Sequence, residues 1–363
     1  MRILGIETSC DETAAAVVET TGDSARPWSV RSSVIASQVD IHREWGGVVP
    51  EIASRQHVAD ICGVVEGALA EARVLVTDID AVAVTRGPGL VGSLLVGVSF
   101  AKALASAGSL PVVAVHHLAG HIESLVLEHG ELPMPAVVLV VSGGHTSLYF
   151  IRRPGEYRLV GQTRDDAAGE AYDKVAKLLG LGYPGGPAVD RLAAEGRDDA
   201  VALPLPRFTH ADRNAAPSDL RAGEFAPGVR QMAEFSFSGL KSAAVRHLEK
   251  HGPGNVADFC ASFQRVVVGT LVDRLFAVAI ALGAKSVGIA GGVSANRRLR
   301  HDAGARGERE RLPVFVPPVL LSTDNAAMIA AAGLRRLARH GASALDFNAE
   351  AALPITDSGG DLH

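Results

Sequence analysis

Short apolar runs alternate with longer amphipathic stretches along the whole chain, which predicts strands and helices in alternation and therefore an α/β fold. Two pairs of these runs repeat one design. Ile3 to Ile6 and Ala14 to Val18 flank the polar turn Glu7 to Thr13, and Val137 to Val141 and Ser147 to Ile151 flank Ser142-Gly143-Gly144-His145-Thr146. Each pair predicts a β-hairpin with a small, hydroxyl-rich turn. Successive backbone N–H groups in such turns can cradle phosphate oxygens, and glycine lets a ligand come close to the main chain. Two such hairpins facing each other would clamp a nucleotide phosphate between two lobes.

A third glycine-rich element follows the predicted strand Ser286 to Ala290, where Gly291 to Asn296 leads into a helix that Ser294 or Asn296 can cap. Strand-glycine-helix junctions of this kind are often no more than tight turns. Asp324 to Arg339 predicts an alanine-rich helix with basic residues at its C-terminal end, which suits the helix dipole. Lys241 falls in the first turn of a helix predicted to start at a Ser238 cap, a place where an anion can bind. Arg207 to Glu234 has proline, glycine and charge without periodicity and reads as a surface loop or insertion, and Thr356 to His363 as a disordered tail.

Composition narrows the class. The chain has 363 residues, 47% hydrophobic and 21% charged, enough for two core-forming domains of an ordinary globular protein. No uninterrupted apolar stretch reaches the length of a spanning helix, and a strand predicted from Ile3 leaves no room for a signal peptide, so the expectation is a cytoplasmic protein without a membrane segment. Cys10, Cys62 and Cys260 are too few and too scattered for a disulfide framework or a cysteine zinc site, and Cys62 and Cys260 read as core fillers. A net charge of −5 does not advertise nucleic-acid binding by the chain as a whole. The densest basic run, Arg297-Arg298-Leu299-Arg300-His301 with Arg306, Arg309 and Arg311 beyond it, fits a solvated helix face at least as well as a phosphate track.

The sharpest chemical signal is a pair of histidines. His117 and His121 lie where the apolar run Pro111 to Val115 gives way to a predicted helix. Positions i and i+4 share one helix face, so both imidazoles can reach one ion. In isolation the pair reads as helix-surface histidines. A catalytic metal needs a third protein ligand and keeps its other positions for substrate, and the best later candidate is Asp324 in Ser322-Thr323-Asp324-Asn325.

Ten blocks in one order then identify a resemblance covering Ile3 to about Arg339. They are Gly5-Ile6-Glu7-Thr8-Ser9-Cys10-Asp11-Glu12-Thr13, Gly46-Gly47-Val48-Val49-Pro50-Glu51, Gly87-Pro88-Gly89-Leu90, His116-His117-Leu118-Ala119-Gly120-His121 and Val141-Ser142-Gly143-Gly144-His145-Thr146. The others are Ala168 to Lys174, Tyr183 to Pro187, Phe235-Ser236-Phe237-Ser238-Gly239-Leu240-Lys241, Ala290 to Asn296 and Ser322 to Asn325. The chain resembles the tRNA threonylcarbamoyladenosine synthase family of the TsaD type, formerly called O-sialoglycoprotein endopeptidases. It departs from the pattern at Ala119, where some members carry an acid, and in a longer 207–234 loop.

The resemblance implies the bilobed fold of actin, Hsp70 and sugar kinases, with a nucleotide cleft between duplicated lobes. Residues 1–125 and 327–363 would form the first lobe with its returning C-terminal helix, and 126–326 the second. It implies transfer of threonylcarbamoyl from threonylcarbamoyl-adenylate to the exocyclic amine of the adenosine 3′ of the anticodon, in tRNAs reading codons that begin with A. The metal ligands carry over to His117, His121 and Asp324, with iron favoured and zinc possible. Substrate positions carry over to Val140, Val141, Ser142, Gly143, Gly144, Asp173, Gly186, Asp190 and Asn296. Taken alone, Asp173 would read as a helix-surface or capping carboxylate. The implied partners are tRNA, an inactive paralogue forming a heterodimer, and a P-loop ATPase.

Adenine's exocyclic amine is a weak nucleophile, so the chemistry calls for an electrophilic mixed anhydride and charge stabilisation on its leaving phosphate. Asp11 or Glu12, on the first hairpin turn, is the candidate proton acceptor, against the plain alternative of turn-forming acids; His145 is a candidate for orienting substrate. Rival classes are an ATPase or kinase of the same fold, a non-catalytic paralogue and a metallopeptidase. A zinc peptidase needs glutamate directly after the first histidine, where this chain has Leu118.

Overall fold

The computed structural model describes residues 1–205, 225–252 and 254–355. Its strands are β1 (Arg2–Glu7), β2 (Glu12–Thr20), β3 (Trp28–Ser37), β4 (Ala81–Gly87), β5 (Val112–His116), β6 (Ala136–Val141), β7 (Thr146–Ile151), β8 (Tyr157–Gln162), β9 (Ser286–Ala290) and β10 (Val314–Phe315). The α-helices are α1 (Val39–Arg43), α2 (Pro50–Ala72), α3 (Val91–Gly108), α4 (His117–His129), α5 (Ala168–Leu178), α6 (Gly185–Ala193), α7 (Pro227–Ala233), α8 (Ser238–His251), α9 (Val256–Ala281), α10 (Arg297–Glu310), α11 (Val319–Ser322) and α12 (Ala326–His340).

The chain divides into two compact units. One holds residues 1–132, 153–157 and the described part of 320–363; the other holds 133–152 and the described part of 158–319. The boundaries fall at 132 and 320 where the sequence reading put 125 and 327, and Asp324 therefore belongs to the first unit.

Each unit is built on one five-stranded sheet, and the two sheets share a topology. The first runs β3-β2-β1-β4-β5 and the second β8-β7-β6-β9-β10. In each, an antiparallel hairpin (β1–β2, β6–β7) continues through parallel strands (β4 and β5; β9 and β10). The first strand of each hairpin is central and covered on both faces, so Ile3 to Ile6 and Val137 to Val141 are continuously apolar instead of alternating. Both hairpins lie where the sequence pattern places them.

In the first unit α12 packs across β1, β2, β4 and β5 and against α4. It begins at Ala326, two residues later than the sequence suggests, because Asn325 is the cap: its Oδ1 accepts from Met328 N at 2.9 Å. Asp324 is thus left outside the helix, on the turn before the cap. On the opposite side α2 and α3 complete the core with Leu4, Ile6, Val82 and Val84. By length and composition α3 could cross a membrane. Its inner face, Leu94, Gly97, Val98, Ala101 and Ala105, is buried, it packs on β4 and α2, and Lys102 interrupts its apolar run.

Several expectations change. Cys62 is exposed on α2 and fills no core, whereas Cys260 is buried. Of the predicted 207–234 insertion, 207–224 lies outside the described residues, but its far end forms α7 and buries Ala233 and Glu234. The tail 356–363 also lies outside them. Ser238 does not cap α8; it is the first helical residue, and Asp165, distant in sequence, accepts from Phe237 N at 2.7 Å and Ser238 N at 3.3 Å. Three arginines of the basic run are paired within their own unit: Arg297 meets Asp190, Arg298 meets Asp302 and Asp198, and Arg306 meets Glu310.

The first hairpin turn rests on a buried histidine. His57 of α2 donates from Nε2 to the Cys10 carbonyl at 3.0 Å and takes a hydrogen bond at Nδ1 from the Thr13 hydroxyl at 2.8 Å. Burial lowers its pKa from the ordinary 6.5, against the opposing Cys10 carbonyl, so the folded protein holds it neutral. The unfolded chain takes up the proton first as pH falls. His57 therefore costs no stability above about pH 6.5 and an increasing amount below it, at most about 1.4 kcal/mol per pH unit. A His57→Gln variant should show a shallower loss of denaturant midpoint between pH 6.5 and 5 than the wild type.

Candidate metal centre

Strand β5 delivers the chain to α4 at His117. His116 ends the strand and caps the helix, its Nδ1 accepting from Leu118 N at 3.1 Å. Every residue from His117 to Val126 is buried. The imidazoles of His117 and His121 stand 4.7 Å apart between centroids at 80°. From the turn before α12, Asp324 Oδ1 approaches to 3.6 Å from His117 Nε2 and 3.2 Å from His121 Nε2. The ligand atoms of the three residues all lie within 4.8 Å of one another. Glycine at position 120 permits this approach, since a Cβ there would stand 2.8 Å from Ile329 Cδ1 and 3.1 Å from Met328 Cγ of α12.

The donor set fits a divalent ion of borderline softness, and one observation argues for such an ion directly. Both ring nitrogens of His121 are fully buried without a hydrogen-bond partner; its Nε2 lies close to Asp324 but outside hydrogen-bond geometry. Leaving such a nitrogen unsatisfied costs about 1–3 kcal/mol, and a coordinated cation would satisfy one of the two, the Nε2 that faces Asp324.

Behind His117 stands a carboxylate. Its Nδ1 lies 3.0 Å from Glu7 Oε2 and 3.2 Å from Ser9 Oγ. An ionised carboxylate only accepts, so Nδ1 carries the proton and Nε2 faces Asp324 with its lone pair when the ring is neutral. Glu7 is held in turn by the Ser9 N–H and the Thr85 hydroxyl. Burial would raise Glu7, but the charge and hydrogen bond of His117 outweigh it and leave the carboxyl below its ordinary value. Burial would likewise lower His117; the charges of Asp324 and Glu7 prevail and lift it to about 9. Burial first lowers His121 and outweighs the opposing pull of Asp324, with the His117 charge acting alongside burial. A cation seated here would displace the His117 proton.

On the hairpin turn before this cluster, Asp11 is buried and Glu12 partly so. Burial, then the charges of Asp324 and Asp11, raises the Glu12 carboxyl well above the ordinary range.

The second unit carries the other predicted positions. Val140 and Val141 are wholly buried in β6 and can offer a ligand only their main chain. Gly143 and Gly144 are exposed at the hairpin tip, and a Cβ on either would meet open space. His145 closes that turn, its carbonyl accepting from Ser142 N at 2.8 Å. The start of α5 packs under the turn, where Gly169 N donates to Ser142 O at 3.2 Å. One oxygen of Asp173 accepts from Gly185 N, the first residue of α6, at 2.7 Å. Gly186 borders open space. Asp190 Oδ2 accepts from Arg297 at 2.9 Å while its Oδ1 is buried without a partner. The Asn296 side chain is spent inside the protein: Oδ1 caps α10 at Leu299 N, and Nδ2 donates to Gln264.

The sequence profile of tRNA N6-adenosine threonylcarbamoyltransferases, the TsaD family, matches residues 29–331. The chain belongs to this family. It is 52% identical over 355 residues to the tRNA N6-adenosine threonylcarbamoyltransferase of Anaeromyxobacter dehalogenans strain 2CP-1, covering 97% of this chain and 98% of the relative. To that of Moorella thermoacetica it is 48% identical over 357 residues, 97% of each. Among solved structures, full-length HypF in its phosphate- and nucleotide-bound form superposes with a TM-score of 0.56 at 15% identity, over 94% of this chain and 47% of that one. Component A of the Acidaminococcus fermentans (R)-2-hydroxyglutaryl-CoA dehydratase gives 0.51 at 14%, over 93% and 100%. These two likenesses concern the fold alone, the two-lobed α/β fold of actin, Hsp70 and the sugar kinases. As a TsaD-family threonylcarbamoyltransferase the protein is a tRNA-modifying enzyme that builds threonylcarbamoyladenosine.

For this threonylcarbamoyltransferase, sequence reasoning missed the roles of Glu7 and Ser9. Both were on view in the Glu7 to Thr13 turn, and the usable signal was a glutamate directly after the apolar run Ile3 to Ile6. With His117 as a candidate ligand, a Glu7→Gln variant is expected to lower the affinity of this cluster for a divalent ion about 10- to 100-fold, the usual cost of losing a carboxylate behind a ligating histidine. Competition with a chromophoric chelator measures it.

Proposed function

We propose that this transferase works with one divalent ion, iron or zinc, held by His117, His121 and Asp324, and that it takes threonylcarbamoyl-adenylate as donor. The carrying observation is the three-residue cluster in which His121 buries two unpartnered nitrogens. When bound, the ion supplies a positive charge for the donor's phosphate and a template for its orientation.

The second unit, taken by itself, carries groups that suit an adenylate. The main-chain N–H groups of the exposed Gly143 and Gly144 suit phosphate oxygens, as an anion-binding turn does, while the Ser142 N–H is spent on the His145 carbonyl. Asp173 and Asp190 suit ribose hydroxyls: Asp190 keeps one oxygen unpartnered, and Gly186 leaves room beside them. Asn296 supports that pocket through its cap and its bond to Gln264. Val140, Val141 and His145 shape the turn itself.

In the transfer the adenosine N6 attacks the carbamoyl carbon, an N–C bond forms, the C–O bond to phosphate breaks, and AMP leaves with the bond's electron pair. The N6 proton goes to Glu12, with Asp11 beside it. The tRNA position is the adenosine 3′ of the anticodon in tRNAs reading codons that begin with A. The work is cytoplasmic, and the acidic chain holds its tRNA with help from an inactive paralogue in a heterodimer and from a P-loop ATPase.

The test supplies synthetic threonylcarbamoyl-adenylate and unmodified tRNA to the protein with those partners and follows modified adenosine by mass spectrometry. An Asp11→Ala, Glu12→Ala variant should lose about 10²–10⁴-fold in transfer rate. Normal transfer by the folded double variant would remove the proton-acceptor role from both residues.

A further inference from the structure

The Gly87-Pro88-Gly89-Leu90 turn between β4 and α3 supplies none of the proposed ligands, yet it is enclosed on two sides. On one side is Ser9. Leu90 N donates to Ser9 O at 2.8 Å, and a Cβ on Gly89 would lie 2.6 Å from that oxygen and 2.8 Å from Ser9 Cβ, so only glycine admits the contact. On the other side is the extended segment after α12. Glu350 N donates to Arg86 O at 2.9 Å and Gly89 N to Ala351 O at 3.2 Å. The Arg86 guanidinium reaches Asn348 O at 3.2 Å and the Glu350 carboxylate, and a Cβ on Gly87 would overlap Glu350 O. The segment runs on to Leu353, whose carbonyl accepts from His116 Nε2 at 2.9 Å.

Both lines of contact end at His117. Ser9 places its hydroxyl 3.2 Å from His117 Nδ1 and donates its N–H to Glu7, whose Oε2 stands 3.0 Å from the same nitrogen, and His116, tied to Leu353, caps the helix that His117 begins. An imidazole on a helix can rotate, and the hydrogen bond on its rear nitrogen is what fixes where its front nitrogen points. Ser9 sits on a hairpin turn, and the glycine turn pressed against its main chain limits where that hydroxyl can go.

We propose that the Gly87–Leu90 turn, wedged between Ser9 and residues 348–353, is the positioning element of the metal centre, holding Ser9, and through its N–H the Glu7 carboxylate, against Nδ1 of His117 and so aiming Nε2 at the ion. This rests on the reading of His117, His121 and Asp324 as metal ligands. Gly89, Ser9 and Arg86 are positioning residues that act through His117.

The probe is Co²⁺ alone, added to the metal-free full chain, with affinity read by chelator competition and ligand geometry by the visible absorption of the bound ion. Ser9→Ala and Gly89→Ala should bind Co²⁺ about 10- to 100-fold more weakly than the wild type, with an altered spectrum. Arg86→Met should lose affinity in the same direction by less. Gly92→Ala, whose Cβ would meet only the Ser54 side chain at 3.3 Å, serves as the neighbouring control and should keep wild-type affinity. Should Gly89→Ala fail to fold by circular dichroism, Ser9→Ala and Arg86→Met decide the matter. Folded Ser9→Ala and Arg86→Met proteins with wild-type affinity and spectrum would overturn the proposal while leaving the metal site intact. A wild type that takes up no Co²⁺ would overturn the metal reading, and the positioning role with it.

Discussion

Replacing His121 by leucine should abolish metal retention and lower threonylcarbamoyl transfer by roughly 10³-fold, the scale on which loss of a principal charge-stabilising group acts. The accompanying effect on stability has an unusual sign. An ordinary buried histidine loses hydrogen bonds when replaced by an aliphatic side chain, and the protein weakens. His121 has little to lose: Nδ1 is buried without a partner, Nε2 has only Asp324 at 3.2 Å and outside hydrogen-bond geometry, and burial already holds the ring neutral. Leucine is of similar size and carries no polar atom, so the metal-free variant should be at least as stable as the metal-free wild type. The stabilisation that the wild type gains from added ion should vanish in the variant. Thermal midpoints with and without Zn²⁺ give the two stability results, elemental analysis of the purified proteins the metal content, and mass spectrometry of the modified adenosine the transfer rate. A variant that is clearly less stable than the metal-free wild type and still binds the ion would make His121 a packing residue.

The second large effect concerns how the ligand-bearing elements are held together. Arg335 of α12 makes a two-pronged contact with Glu123 of α4, Nε to Oε1 at 3.1 Å and Nη2 to Oε2 at 2.8 Å, and reaches Glu131 at 2.6 Å. The Tyr157 hydroxyl and the Trp28 indole also donate to Glu123, and the guanidinium lies 5.2 Å from the Trp28 ring. Glu123 is 1% exposed, so Arg335→Met strands a buried carboxylate. Breaking one side of such a pair costs about 3–5 kcal/mol. The denaturant midpoint should fall accordingly with an unchanged slope, and Arg335→Met with Glu123→Gln should recover much of the loss because the stranded charge is gone. Equal midpoints for the single and double variants would show that packing, not charge, carries the contact. The same helices bring His117, His121 and Asp324 together, so the single variant should also bind metal more weakly.

Much of this was legible before any coordinates. Both hairpins could be placed because a polar turn between two apolar runs is a local signal. The histidine pair could be placed because helical periodicity is local too. Local reasoning failed where a distant residue took over a local job. Ser238 looks like a helix cap, yet Asp165 does the capping. Cys62 looks like a core residue but faces solvent, since α2 is covered on one side only. Asn296 caps its helix at Leu299 N as the sequence suggests, but its Nδ2 goes to Gln264, which no local pattern announces.

The sequence by itself determined the fold class, the paired hairpins, the family and the identity of three candidate ligands, because each rests on short-range spacing or on motifs in a set order. Tertiary structure alone decided what surrounds those ligands. Glu7 stands behind His117 from 110 residues away in the chain, Asp324 meets the histidines from a turn two hundred residues on, and the glycine turn and residues 348–353 converge on Ser9 and His116. Such partners carry no periodicity of their own. A buried polar group must find its hydrogen bonds wherever the fold brings a complementary atom, and that choice is made by packing across the whole unit.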